Sequence, residues 1–140
     1  MSYEIKDSGT RQEFSTGAVR DAQIGKGRYD MVPMATLAAL AQHYEKGCLK
    51  YGENNWQKGI PVMRFLDSAM RHLSKAMAGM NDENHMISAL WNIFSGYETL
   101  LRTQLGDLPA EINNSQIILP DPWDRVGAID RSIEVEDLPF

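Results

Sequence analysis

From Met34 onward, apolar positions recur at intervals of three and four: Leu37, Ala38, Ala41, Tyr44 and Cys48. That spacing marks one face of an α-helix, so the pattern predicts a first helix to about Leu49, entered through Pro33 and followed by Gly52. A second stripe of Phe65, Leu66, Ala69, Met70, Leu73 and Met77 predicts a helix from just after Pro61 to near Gly79, with Asp67, Arg71 and Ser74 on its other face. The third and longest helix takes Met86, Leu90, Ile93, Phe94, Tyr97 and Leu101 as its buried face, Asn81 or Asp82 as its cap and Gly106 past its end. Residues 1–33 are rich in Gly, Ser, Thr and charge, lack helical periodicity and read as an ordered arm or loop. Beyond Gly106, Pro109, Pro120, Pro122 and Pro139 interrupt short apolar pieces such as Ile117-Ile118-Leu119 and forbid a long fourth helix, leaving an extended tail with Trp123 as an anchor.

The expected fold class is therefore all-α: a bundle of three main helices with an irregular N-terminal arm and an extended, proline-interrupted C-terminal tail. Its expected organisation is one domain over 1–140, with the arm at 1–33, the helical core at 34–105 and the tail at 106–140. Three helices of this size carry apolar stripes that short loops cannot cover, so the bundle is expected to be completed by oligomerisation with a second copy of the chain.

Composition narrows the class. A chain of 140 residues with 43% hydrophobic residues builds one modest core. A formal net charge of -5 disfavours a sequence-independent grip on duplex nucleic acid. The single cysteine, Cys48, excludes an intrachain disulfide and any multi-thiolate zinc site and fits a reducing cytosol. Neither a signal core nor a long apolar run is present, so a soluble, cytoplasmic protein without a membrane role is expected.

The most informative segment is His43-Tyr44-Glu45-Lys46-Gly47-Cys48-Leu49-Lys50-Tyr51-Gly52-Glu53-Asn54-Asn55-Trp56-Gln57-Lys58-Gly59, where a helix bearing one acid breaks into a glycine-punctuated loop with cations, amides and an indole. That mixture suits a phosphorylated, flat-ringed ligand. Tyr51 and Trp56 can stack on a base while Asn54 or Asn55 reads its edge, since any base offers a face and only amides discriminate. The plainer reading of Trp56 packs the loop onto the core, and Trp91 is expected to do the same. Glu45 lies within an otherwise small and apolar stripe, unusual for a solvated acid, but also near a helix end where water is close. Asp82 and Glu83 suit a first helical turn as caps and dipole partners with no chemistry involved. Asn92, an amide in mid-helix, needs partners if buried. His85 reads either as a hydrogen-bonded core histidine or as a group set behind the reacting atoms. Lys26 and Arg28 stand among Gly25 and Gly27, where flexible backbone can close on phosphates or simply meet solvent. There is no serine-hydrolase elbow, Walker loop, His-Glu-x-x-His or His-Asp pair. Periodicity gives no hint that the three histidines, 43, 72 and 85, converge.

Together with Arg71-His72, with Asp82-Glu83-Asn84-His85 and Trp91-Asn92 downstream, and with Phe14 to Asp21 and Gly25 to Asp30 upstream, this segment resembles the phage dATP/dGTP diphosphohydrolase family, associated with the MazG-like all-α nucleotide pyrophosphohydrolases. The resemblance runs from about Phe14 to about Leu101 and does not reach the tail. It implies a dimer or tetramer that converts a purine deoxynucleoside triphosphate, dGTP or dATP, to its monophosphate and pyrophosphate with Mg2+ or Mn2+, in the cytoplasm of the host bacterium if the chain is phage-encoded. Such chemistry needs oxygen ligands for the ion and cations for the phosphates. The available oxygen set is Glu45, Asp82, Glu83 and Asn92, with His85 beside the catalytic acids. Lys26, Arg28, Lys50, Arg71 and His72 form the phosphate side, and Tyr51, Asn55 and Trp56 the base side.

MazG-like enzymes usually pair Glu-x-x-Glu on one helix with Glu-x-x-Asp on a later one. Here Cys48 stands where a second acid would follow Glu45, and Ala89 where one would precede Asn92. The missing acids motivate a rival expectation: a non-catalytic nucleotide-binding protein that sequesters a nucleotide-derived signal, as a phage would use against host defence.

Overall fold

Pro33, lacking an N–H and fixed at φ -69°, admits helix α1, Met34–Tyr51, and Gly52 at φ 90° closes it by returning its N–H to the Cys48 carbonyl at 2.8 Å. Pro61 precedes α2, Val62–Met77, in the same way. Helix α3, His85–Gln104, starts later than the acids at 82 and 83 suggest: its cap is Asn84, whose side-chain oxygen accepts the Ile87 N–H at 3.1 Å. Asp82 is held by a different partner, described below. The all-α class stands, and besides short 3₁₀ turns the described residues contain a small hairpin.

The structure, a computed structural model, describes Ile5 and residues 9–120; Trp123, the expected anchor of the tail, lies outside them. The described residues fall into two compact units, one containing those up to Met31 together with Pro120 and the other Val32–Leu119. In the first, β1 (Arg11–Glu13) and β2 (Val19–Asp21) pair antiparallel with Arg11 opposite Asp21 and Glu13 opposite Val19. Gly17 at φ 84° makes the reversal, its N–H bonded to the Phe14 carbonyl at 2.8 Å. The arm read from sequence as a loop thus contains a hairpin, too short for period-two patterning to reveal.

In the second unit α2 and α3 are antiparallel neighbours: Phe65 meets Gly96 at one end and His72 meets His85 at the other. Their interface is not the large apolar stripe expected on α3. The buried residues of that helix include His85, Ser88, Ala89, Asn92, Ser95, Gly96 and Thr99, while Met86, Ile93, Phe94 and Tyr97 are exposed. Small side chains let the helix axes approach, and the polar ones are satisfied within the helix: Asn92 donates to the Ser88 carbonyl and Thr99 to that of Ser95, both at 2.8 Å. The same shift occurs on α2, where Val62, Phe65 and Ala69 are buried while Met70, Leu73 and Met77 are exposed. On α1 the buried residue is Leu40, with His43 and Tyr44 half-buried and Leu37, Ala38, Ala41 and Cys48 exposed. The Tyr44 hydroxyl joins α1 to α3 through Ser95 Oγ at 2.7 Å.

After α3 the chain passes a short 3₁₀ turn, Ala110–Ile112, and continues without regular structure to the end of the unit. Asn114 accepts the Met63 N–H at 2.9 Å, capping α2 from outside because Pro61 offers no side-chain cap. Gln104 holds Leu119 through both backbone groups, at 2.8 and 3.1 Å.

Candidate active site

The α2–α3 connection carries the densest chemistry of the described residues. Helix α2 ends at Met77 with Ala78 as its cap, Gly79 at φ 76° turns the chain, and the Met80 N–H returns to the Lys75 carbonyl. Asp82 and Glu83 then lie just before His85, the first residue of α3, whose ring is 2% exposed as a residue. His85 Nε2 is 2.8 Å from Asp82 Oδ1. His85 Nδ1 is 3.0 Å from His72 Nδ1, and Glu83 Oε1 is 3.2 Å from each of these two nitrogens. Among the described residues, His72, Glu83 and His85 thus form the one cluster of three ligating side chains.

The charges around it are mixed. Burial lowers the His72 pKa against the opposing pull of Glu83, and the hydrogen bond to His85 holds Asp82 below the usual carboxylate range. His43 of α1 belongs to the same neighbourhood: burial lowers its pKa, and Glu83 and His72 both act on it electrostatically. The three histidines therefore share one region, which periodicity did not reveal. One signal was present: residues 72 and 85 are equidistant from the turn at 78 and 79, so a tight helical hairpin sets them face to face.

The second feature is a cavity of about 460 Å³ between the end of α1, the loop after it and α3, within the size range of small-molecule sites. Tyr51, Asn55 and Trp56, the expected base-side residues, line it, together with Asn54, Tyr44 and Trp91. The loop is shaped by Asn54 in the left-handed region at φ 58°, its side chain accepting from Gln57 at 3.1 Å, and by Arg102, which donates to the Gln57 carbonyl at 3.0 Å. Tyr44 stands 5.9 Å from the Trp56 ring and 5.7 Å from that of Trp91. Trp91 also meets His43 at 5.8 Å and Phe65 at 6.0 Å, as expected of a packing residue. Its indole Nε1, however, is buried without a hydrogen-bond partner, which costs stability unless an acceptor arrives.

The remaining expected residues are placed separately. Glu45 is exposed on α1 and is not a member of the cluster. Asn92 is buried and bonded within its own helix. Lys50 is exposed, its ammonium 5.0 Å from the Tyr51 ring centre. Arg71 is exposed, 3.0 Å from Ser68 Oγ and 3.9 Å from Asp67. Lys26 and Arg28 belong to the first unit, where Lys26 pairs with Asp21 and Arg28 forks onto Asp30 at 2.7 and 2.8 Å. That fork raises the Arg28 pKa and lowers that of Asp30.

The chain therefore offers an aromatic, amide-edged cavity and a carboxylate–imidazole cluster, joined along α3: His85 and Trp91 are six residues apart, a rise of about 9 Å. No helix among the described residues is long and apolar enough to cross a membrane. No curated protein and no solved structure matches the chain. A family model does, over residues 16–108, covering the second strand of the hairpin, the cavity and the cluster, and by it the chain belongs to the dATP/dGTP diphosphohydrolase family as a representative of its N-terminal domain.

Proposed function

We propose that the chain is a nucleoside triphosphate diphosphohydrolase that converts a purine deoxynucleotide, dGTP or dATP, to its monophosphate and pyrophosphate. The observation that carries this reading is the link between the two features through His43, whose ring lies 5.8 Å from that of Trp91 in the cavity wall and which Glu83 and His72 of the cluster act on electrostatically. A base held in the cavity thus has the cluster within the neighbourhood that its polyphosphate can reach. Tyr51 and Trp56 stack on the base, Asn55 reads its edge, and the unpartnered Trp91 N–H donates to a ring or sugar acceptor. At the other end water attacks the α-phosphorus in line, the bond to the bridging oxygen breaks, pyrophosphate leaves, and the water's proton passes to solvent past the exposed carboxylates of Asp82 and Glu83. Exposed Arg71, next to His72 of the cluster, supplies positive charge for the leaving group.

A divalent ion, when bound, supplies charge shielding and an acidified water to such a reaction. Magnesium does not fit the groups brought together here. It prefers oxygen donors, and of the expected oxygen set Glu45 is exposed, Asn92 gives its amide to Ser88, and Asp82 is bonded to His85. The enzyme acts as a homo-oligomer, dimer or tetramer, because the outer faces of all three helices keep large apolar side chains in the open.

Purified protein incubated with each deoxynucleoside triphosphate and a divalent ion is expected to release equimolar monophosphate and pyrophosphate from dGTP or dATP. Trp56→Ala should raise KM, and His85→Gln should abolish turnover. Recovery of every nucleotide unchanged, with tight binding in EDTA, would replace hydrolysis by sequestration.

A further inference from the structure

We propose that His72, Glu83 and His85 form a facial ligand triad for a divalent transition ion of the manganese, iron, cobalt or zinc class, with Asp82 orienting His85 from behind. Geometry is the first argument. His85 Nε2 stands 2.8 Å from Asp82 Oδ1, and its other ring nitrogen, Nδ1, lies 3.0 Å from His72 Nδ1. Glu83 Oε1 is 3.2 Å from each of these two Nδ1 atoms, so three side chains from two helices and their connection bring one ligating atom each into a triangle of 3.0, 3.2 and 3.2 Å. A cation can bind all three at once.

Distances and donor types say what. Cis ligands of an octahedral ion with bonds of about 2.1 to 2.2 Å lie about 3.0 to 3.1 Å apart, whereas tetrahedral ligands at the same bond length lie about 3.4 to 3.6 Å apart. The triangle fits one face of an octahedron, which leaves three positions for water or phosphate oxygens. Two imidazoles with one carboxylate are the donors of transition ions with open positions, whereas magnesium and calcium take oxygen. Asp82 completes the pattern: a ligating histidine commonly donates its other N–H to a carboxylate, which fixes the tautomer and orients the ring. His85 is held this way while almost fully buried, and Asp82 remains at the surface. His43 and Lys75 flank the cluster, both acting on His72 or standing under its influence.

The ion site stands on this geometry alone; its part in hydrolysis rests on the nucleotide reading above, and the two fail separately. The test uses the full chain, stripped with EDTA and titrated in the absence of nucleotide with Co2+, Mn2+, Zn2+ or Mg2+. Visible cobalt absorption and manganese spin resonance are the readouts. Expected are one cobalt ion per chain with the weak bands of a five- or six-coordinate site, displacement by zinc or manganese, and no displacement by millimolar magnesium. Asp82→Asn should weaken cobalt binding roughly 10- to 100-fold, and His72→Gln and Glu83→Gln should abolish the bands. These two side chains are less buried than His85, and their far-ultraviolet dichroism verifies folding. Absence of cobalt bands from the folded parent chain, or bands unchanged in His72→Gln, overturns the triad, including where magnesium alone supports nucleotide turnover. Bands present and lost in the variants, with every nucleotide left intact, uphold the triad and remove the hydrolase reading.

Discussion

Trp91 shows how one atom separates a packing residue from a functional one. Its ring packs against His43, Tyr44 and Phe65, which any aromatic residue could do in part, but its buried Nε1–H has no partner. Trp91→Phe keeps an aromatic face and deletes that donor. If a nucleotide acceptor fills the gap, the variant loses a hydrogen bond of about 0.5–1.5 kcal/mol, or roughly two- to tenfold in Kd. Calorimetric titration with dGTP and dATP reads the loss, and an unchanged Kd would confine Trp91 to packing. His43 gives a second residue-scale prediction. Its folded pKa lies below the ordinary 6.5 because of burial, so the unfolded chain takes up a proton first as pH falls. Stability is then fully present above about 6.5 and declines as pH drops from there toward the folded pKa. The Tm in EDTA should fall on acidification through this window, and His43→Gln should flatten the profile there. Asp82, held low by His85, adds a separate loss of the same sign only at pH below 3.8. Tyr51, Asn55 and Trp56 were legible in the sequence as cavity residues because neighbours in one loop meet by local geometry alone. Glu45, which the sequence left open between a stripe position and a solvated helix end, is exposed.

At the scale of elements, helix positions were legible because Pro33, Pro61, Gly52, Gly79 and Gly106 punctuate the chain and act locally. The buried faces of α2 and α3 were not legible, because hydrophobic periodicity weights large side chains and this interface selects small ones. Gly96 sets the interaxial distance: a Cβ added there would lie 3.1 Å from Phe65 Cβ. Gly96→Val should therefore cost about 1–3 kcal/mol through overpacking, despite its gain in helix propensity over glycine. The midpoint of urea unfolding measures it, and Gly96→Ala, which adds the Cβ alone, should cost less than Gly96→Val. A Gly96→Val variant as stable as the parent would show that Phe65 does not restrict this position. The His72–His85 pairing belongs to this scale as well, since it follows from hairpin symmetry about the turn rather than from any motif in the sequence.

For the whole molecule, the misplaced stripes point to one account. The residues expected in the core of α3, with Met86 65%, Ile93 48% and Tyr97 44% exposed, still lie on one helical face at i, i+7 and i+11. Their periodicity was real, but it does not serve the interior of one chain. Met70 and Met77 of α2 and Leu37 and Leu49 of α1 are likewise exposed. Apolar surface on this scale is rare on a monomer, and a second copy is the simplest element of matching character, because a twofold interface meets apolar surface with apolar surface. Sedimentation equilibrium should therefore find a dimer or tetramer at micromolar concentration. Ile93→Glu should shift it toward monomer by placing a charge in a desolvated contact, with helical dichroism retained because Ile93 is not packed inside its own chain. A parent chain that sediments as a monomer, or an Ile93→Glu variant with unchanged mass, would mean that these residues face solvent. In that event the core of the helical unit would have to stand on Leu40, Val62, Phe65, Leu100, Leu101 and a few small side chains, and the measured unfolding free energy should be correspondingly low and independent of protein concentration.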